Sequence, residues 1–198
     1  MKWFALVIIT LVSINISTAQ TDTTDYGYYD GYGYTDDTDV RYEWERYLTL
    51  GVGYGIYVPK RMDTLGLFHG VSTEFVFYEA ANLAHAGPGR FKIYGRFNWY
   101  MSSQKEMGDM FNYAFGANFS FEKAPKRKFL IPFFGLEFGG IHQREGGNAF
   151  QIKPYLGVRL YDSRNFSIAI DGGYSYAVPN FDVLAGVQAN LGINVFFW

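Results

Sequence analysis

From Tyr47 to Trp198 the chain alternates between apolar residues and small or polar ones with a period of two, as strands with one apolar face do. Eight such segments follow one another, and breaks such as Pro59–Asp63 separate them. In the clearest segment, apolar positions (Phe91, Ile93, Phe97, Trp99) alternate with polar or ring-bearing ones (Arg90, Lys92, Tyr94, Arg96, Asn98, Tyr100). The pattern predicts an all-β fold, a closed eight-stranded antiparallel up-and-down β-barrel over 47–198.

The apolar face of these strands is predicted to point outward, because an eight-stranded barrel has room inside for only a few side chains. That face carries mostly Phe, Tyr, Leu, Ile and Val, whereas the other face mixes Gly, Ser, Asn and Ala with a few charged residues. A barrel of this kind crosses a membrane, since about ten tilted residues per strand span the hydrocarbon. The alternative is a secreted lipocalin-like barrel, but a soluble exterior would carry more Lys and Glu.

Composition narrows the possible function classes. The 198 residues include 23 Gly, 20% aromatic residues and no cysteine, with a net charge of -2. The lack of cysteine excludes a disulfide framework and a thiolate metal site, and the charge balance disfavours a nucleic-acid partner. No metal-binding spacing or nucleotide-binding loop is present in the sequence, so neither a metal nor another cofactor is expected.

The first 46 residues differ from the patterned body. Residues 1–19 combine Lys2, an apolar run and the small residues Ser17–Ala19, which predicts a cleaved secretory signal peptide. Residues 20–46 are rich in Tyr, Gly and Asp, and eight acidic residues outweigh two basic ones there. With almost no aliphatic residues to bury, this segment is predicted to be a flexible acidic tail.

Several charged residues fall on the inward face and are the best candidates for a specific role. Buried charges need partners, so one hypothesis is an internal network that plugs the lumen. The alternative is a narrow polar pore for small solutes or ions. The candidate lumen residues are Glu74, Arg90, Lys92, Arg96, Glu122, Glu137, Lys153, Arg159 and Asp171, and the same alternation places Tyr78, Tyr94, Tyr155 and Tyr161 inside.

No catalytic constellation is visible. A lipid A-modifying barrel enzyme would need a serine, a histidine and a carboxylate near one rim. Of the histidines, His142 lies near Glu145 in a predicted loop, but no serine is adjacent in sequence. The expectation is therefore that the protein is not an enzyme.

The eight alternating segments and the aromatic chain end resemble those of small outer-membrane β-barrel proteins of Gram-negative bacteria, the type of the OmpA membrane domain, OmpX and OmpW. The Tyr- and Gly-rich strands look most like members found in Bacteroidetes. The resemblance implies residence in the cell outer membrane, contact with its lipid and a structural or interaction role. It also implies that the barrel-assembly machinery recognises the terminal residues Phe196, Phe197 and Trp198.

Overall fold

The computed structural model describes residues 44–81, 89–104, 106–121, 128–163 and 165–196. The predicted signal peptide and most of the predicted tail lie outside these residues. The described chain forms eight strands: β1 (Trp44–Pro59), β2 (Phe68–Ala81), β3 (Gly89–Ser102), β4 (Met110–Phe121), β5 (Phe129–Gln143), β6 (Gly147–Asp162), β7 (Phe166–Val178) and β8 (Gly186–Val195). Two one-turn helices, α1 (Met62–Leu65) and α2 (Phe181–Leu184), lie in the β1–β2 and β7–β8 connections.

Each strand pairs antiparallel with its sequence neighbour, and β1 pairs with β8 to close the barrel. This confirms the predicted closed up-and-down barrel. We call the end where β1 begins and β8 finishes the base, and the opposite end, which carries α1 and α2, the top. Among the described residues, no helix is long and apolar enough to cross a membrane.

The outer wall is apolar, as the volume argument predicted. Outward residues such as Phe75, Phe115, Leu156 and Leu191 are about half exposed or more, whereas the intervening residues of the same strands are largely buried. This arrangement is the reverse of a lipocalin, whose apolar side chains line an internal cavity. The wall is therefore that of a barrel that spans a membrane.

Aromatic side chains form two girdles on the outer wall, one near each end of the barrel. Near the base, the ring centroids of Tyr47 and Tyr78 lie 5.4 Å apart. Near the top, Phe111 lies 6.4 Å from both Trp99 and His142. Along β2 the two girdles are nine residues apart, from Tyr78 to His69, whose ring centroid lies 6.0 Å from that of Tyr54. At about 3.3 Å per residue and a tilt near 40° they are roughly 23 Å apart, close to the thickness of an outer-membrane apolar band.

Two β-bulges near the base interrupt the alternation. In β2, Val76 pairs with Tyr94 and Tyr78 with Ile93, so Phe77 is an extra residue. The extra residue turns Tyr78 outward, where its ring contacts Tyr47, so the prediction that Tyr78 points inward was wrong.

The second bulge reverses Tyr161 in the same way. In β6, Arg159 pairs with Ala169 and Tyr161 with Ile168, so Leu160 is an extra residue. The ring of Tyr161 packs outside the barrel against Phe129 and Phe166, with centroids 5.1 and 5.3 Å away. The prediction that Tyr161 points inward was therefore also wrong, for the same physical reason.

Candidate functional site

The centre of the barrel holds an ion cluster in which Arg96 contacts three carboxylates. Its guanidinium lies 2.7 Å from Glu74, 2.9 Å from Glu137 and 3.0 Å from Asp171. Each of these carboxylates comes from a different strand, because inward residues of β2, β5 and β7 meet across the narrow lumen. Arg96 therefore ties distant parts of the barrel together.

Two lysines complete this central cluster. The ammonium of Lys92 lies 2.6 Å from Glu74, and that of Lys153 lies 2.5 Å from Glu137. The cluster thus contains three cations and three carboxylates. Glu137 and Lys153 are fully buried, so their mutual attraction is weakly screened by solvent.

Tyrosine and amide side chains add further hydrogen bonds to the cluster. The hydroxyl of Tyr94 is 2.7 Å from Glu137 and 2.5 Å from the hydroxyl of Tyr155. Asn190 donates to Asp171 at 2.9 Å, and Lys153 donates to Gln188 at 3.1 Å. Charges held in this way are compatible with deep burial, because few of their hydrogen-bonding groups lose water without a replacement.

Below the central cluster, two further ion pairs lie near the base. Arg159 contacts Glu79 at 2.9 Å, and Arg90 pairs with Asp162. Sequence reasoning missed both acidic partners, since strict alternation places Glu79 and Asp162 outside. The two bulges turn them inward. A sequence signal was present, because each acidic residue follows consecutive large apolar residues near a strand end, as in Phe77-Tyr78 and Leu160-Tyr161.

Above the central cluster lies a layer of uncharged polar side chains. Asn112 donates to Gln151 at 2.7 Å and accepts from Asn98 at 3.2 Å. Ser175 donates to Gln151 at 2.9 Å, and Gln188 donates to Tyr100 at 2.8 Å. These bonds cross the lumen and separate the ion cluster from the apolar top.

The top of the interior is apolar. Leu65 of α1 and Leu184 of α2 are buried there, and the Tyr57 hydroxyl donates to the carbonyl oxygen of Leu184. Val183 also lies in α2 and packs against the same group. We call this group the apolar lid; its other buried members are Phe68, Tyr100, Met110, Ile141, Ala149, Ala177 and Ala185.

Hydrogen bonds join neighbouring connections at the top into a ring. Ser102 donates to the carbonyl oxygen of Leu65 at 2.9 Å, linking the β1–β2 and β3–β4 connections. Gly108 donates its N–H to Glu145 at 3.1 Å, and Asn180 donates to the carbonyl oxygen of Gly146 at 3.1 Å.

The ring closes where Lys60 donates to Asp182 at 2.7 Å, joining the β7–β8 and β1–β2 connections. The ammonium of Lys60 also lies 4.6 Å from the centre of the Phe181 ring. This hydrogen bond and the positive charge of Lys60 lower the pKa of the exposed Asp182 carboxyl.

A cavity of about 30 Å³ lies beside Arg96 and Asp171, against Gly51 and Gly192. A buried water needs at least about 10–15 Å³ of such volume, so the cavity has room for roughly two waters. A Cβ atom on Gly51 would approach Asn194 Oδ1 to 1.9 Å, so the glycine leaves space for the inward amide.

All the candidate lumen residues except Glu122 are buried inside the barrel, and Glu122 lies outside the described residues. Of the terminal residues, Phe196 is buried and its N–H donates to the carbonyl oxygen of Asn165 at 2.8 Å, whereas Phe197 and Trp198 are outside the described residues.

The two described histidines lie on the outer wall. His69 Nδ1 is 2.8 Å from the Tyr54 hydroxyl, and His142 contacts Asn148. Neither of these hydrogen bonds involves a serine or a carboxylate. Within the part of the chain that the structure describes, no group of acidic residues and histidines has a metal-binding arrangement.

Comparison with solved structures identifies similar barrels. The crystal structure of Neisserial surface protein A (NspA) matches with a TM-score of 0.51 and 16% identity, over 78% of this chain and 100% of that chain. Ail, the attachment invasion locus protein of Yersinia pestis, matches with a TM-score of 0.47 and 18% identity, over 77% of this chain and 98% of that one. No protein-family model and no curated protein sequence matches the chain. The match to NspA supports the fold, a small closed β-barrel.

Proposed function

We propose that this protein is exported to the cell outer membrane and acts there as a non-conducting barrel with a structural or interaction role. The observation that carries the proposal is the succession of ion pairs, an amide layer and the apolar lid along the interior from base to top. The apolar wall and its two aromatic girdles support the membrane location.

A solute crossing this barrel would have to displace two different barriers. It would first separate buried ion pairs such as Lys153–Glu137, which strands charges away from water. It would then have to open the lid, in which Leu65 and Leu184 are packed and the surrounding connections are hydrogen-bonded. For the protein to act as a narrow pore, the ion cluster and the apolar lid would both have to move aside at the same time.

Planar-bilayer recording of the purified, folded chain tests the proposal. We expect no stable openings, together with the heat-modifiable gel migration of a folded barrel. A Leu65→Gly/Leu184→Gly variant loosens the lid and leaves the ion cluster as the remaining barrier. This variant should also show no stable openings. Stable wild-type openings whose ion selectivity changes in Arg96→Ala would show that the protein is a channel.

Fractionation of cells tests the location. The protein should be recovered in the outer membrane, in contact with its lipid. Recovery of the chain as a freely soluble periplasmic or secreted protein would contradict the proposal.

We further propose that the barrel-assembly machinery recognises residues Phe196–Trp198. Deleting these residues should lower the amount of assembled protein in the outer membrane. An Ile193→Val change on the outer face of β8 serves as a control and should leave assembly unchanged. Normal assembly of the truncated chain would rule out this recognition.

The proposal also includes the absence of enzymatic activity on lipid. Mass spectra of lipid A from cells with and without the protein should be the same. A changed acyl pattern would make this an enzyme, and His142 and His69 would then be the first residues to replace.

A further inference from the structure

Three polar side chains border the small cavity beside Arg96, in addition to the charged residues of the central cluster. They are Ser72 of β2, Asn118 of β4 and Asn194 of β8. Each of them is between 3% and 8% exposed, so bulk water reaches little of any of the three. A buried polar group that loses its hydrogen bonds to water needs a replacement partner, because the loss is otherwise costly.

The side-chain oxygen of Asn118 lacks such a replacement. Asn118 Oδ1 is buried and has no hydrogen-bond partner within the described residues. The side chains of Ser72 and Asn194 likewise form no hydrogen bond with the part of the chain that the structure describes. A hydroxyl group and two carboxamides therefore offer both donors and acceptors to whatever lies in the cavity.

Glycines on β1 and β8 create the space in front of these side chains. Gly53 pairs with Gly192, and Gly51 pairs with Asn194, so three of these four inward positions carry no side chain. The nearest atom to a Cβ atom on Gly192 would be the carbonyl oxygen of Val52, at 3.8 Å. The cavity is therefore open in front of Gly192, and a small group added there meets no clash.

The charges around the cavity decide which kind of ligand fits it. Glu74 and Asp171 line the cavity together with Lys92 and Arg96, so two carboxylates face two cations. Both carboxylates already contact Arg96, at 2.7 and 3.0 Å, so their negative charges are compensated and do not call for a metal ion. A neutral ligand that both donates and accepts hydrogen bonds meets these conditions, and a volume of about 30 Å³ admits only a very small one.

We propose that this cavity binds about two ordered water molecules, which hydrogen-bond to Ser72, Asn118 and Asn194. A buried water makes about three hydrogen bonds to polar groups that would otherwise be unsatisfied, and the three side chains supply such groups. The waters provide the donor that Asn118 Oδ1 requires. A bridging water of this kind is nearly as favourable in enthalpy as a direct hydrogen bond, so the site costs the barrel little stability.

The bound waters make the hydration of the central cluster one-sided. Glu74 and Asp171 border the cavity, whereas Glu137 and Lys153 do not. The cluster therefore has a hydrated side and a dry side, although its charges are joined through Arg96.

Nuclear magnetic resonance of the folded chain in detergent micelles tests the proposal. In the wild type, the side-chain amide protons of Asn118 and Asn194 should show direct nuclear Overhauser cross peaks to long-lived water. The side-chain amide of Gln188 is the internal control, because it donates to Tyr100 at 2.8 Å and does not line the cavity. Its protons should show no such cross peak. Missing cross peaks at both asparagines, or equal cross peaks at all three amides, would overturn the proposal.

Gly192→Ala and Gly172→Ala are a matched pair of variants. The methyl group of Gly192→Ala enters the cavity and should displace about one water, so the cross peaks of Asn194 should weaken about twofold. Gly172→Ala adds the same group on the outer face of β7, where a Cβ atom would meet Gln188 O at an unstrained 3.5 Å. It should leave the cross peaks unchanged. Unaltered cross peaks in Gly192→Ala, or equal losses in both variants, would contradict the site.

Heat-modifiable migration shows whether each variant is folded. If Gly192→Ala does not fold, the wild-type spectrum with its Gln188 control still decides for or against the bound waters.

A monovalent cation is the competing occupant of the cavity. Crystals of the wild-type protein soaked in thallium(I) acetate distinguish the two, because thallium(I) replaces such a cation and scatters anomalously. We expect no anomalous peak in the cavity. A peak beside Asn118 would show that the site binds a cation, and the assignment to water would be wrong.

Discussion

The centre and the top of the barrel interior have the same narrow width, but charged side chains occupy the centre and apolar side chains occupy the top. In the centre, Glu137 and Lys153 are fully buried and each depends on a small number of charged or polar partners. At the top, Leu184 and Phe68 are equally buried, but they are held by packing against many apolar neighbours.

This difference predicts different responses to mutation. Removing one partner from the centre leaves a buried charge without compensation, which is a large and specific penalty. Removing a methyl-bearing side chain from the top leaves a cavity that its neighbours partly fill, so the loss is graded. The centre therefore enforces one arrangement of strands, whereas the top closes the barrel in a way that tolerates variation.

The largest effect is expected at Glu137. Glu137→Ala should lower the free energy of unfolding by about 3–5 kcal/mol, because Arg96 and Lys153 both lose a buried acceptor. Denaturant unfolding of the vesicle-inserted protein measures this, and Glu106→Ala, in an exposed turn, is the control. A loss below 1 kcal/mol, well under that range, would mean that solvent reaches the cluster.

A lid substitution should have a smaller effect. Leu184→Ala is expected to cost about 2 kcal/mol, the low end for a buried leucine, because α2 is a single turn in a connection and is less constrained than a strand of the barrel. The outward Leu191→Ala is the control for the same chemical change. If Leu184→Ala proved more damaging than Glu137→Ala, the comparison between centre and top would be wrong.

A still smaller effect is expected for the ion pair between Glu79 and Arg159, which the β2 bulge creates. A double-mutant cycle with Glu79→Gln and Arg159→Gln should give an interaction energy of about 1–2 kcal/mol. The cycle isolates this contact, since each single change keeps a side chain of similar size. Zero coupling would indicate that Glu79 points outward, as plain alternation requires.

The smallest effect is expected at the surface of the top. The pKa of Asp182 is lowered in the folded protein by Lys60, so the pair stabilises the fold above the ordinary aspartate pKa. This contribution is lost as the pH falls through the lowered value. Asp182→Asn should therefore reduce the unfolding midpoint slightly at pH 6 and leave it unchanged near pH 2. Identical pH profiles for the variant and the wild type would show that the pair contributes nothing.

The sequence predicted most of the fold and much of the interior. The inward positions of Arg96, Glu137 and Asp171 follow from alternation, because side chains of successive strand residues point to opposite faces whatever the strand pairs with. The outward apolar face follows from volume, since large rings cannot fit inside eight strands. The first argument concerns a single strand and the second the volume of the whole barrel, and neither requires knowing which residues contact one another.

Only the tertiary structure decided the contacts. Phe77 and Leu160 become extra residues because of the register between neighbouring strands, and these two bulges bring Glu79 and Asp162 inside. The partners of Arg96 lie on three other strands, so their convergence depends on how the barrel closes. The apolar lid likewise forms only when Leu65 and Leu184, distant in sequence, are brought to the same end. Alternation is a property of each strand alone, whereas register, closure and packing between connections are properties of the pairs.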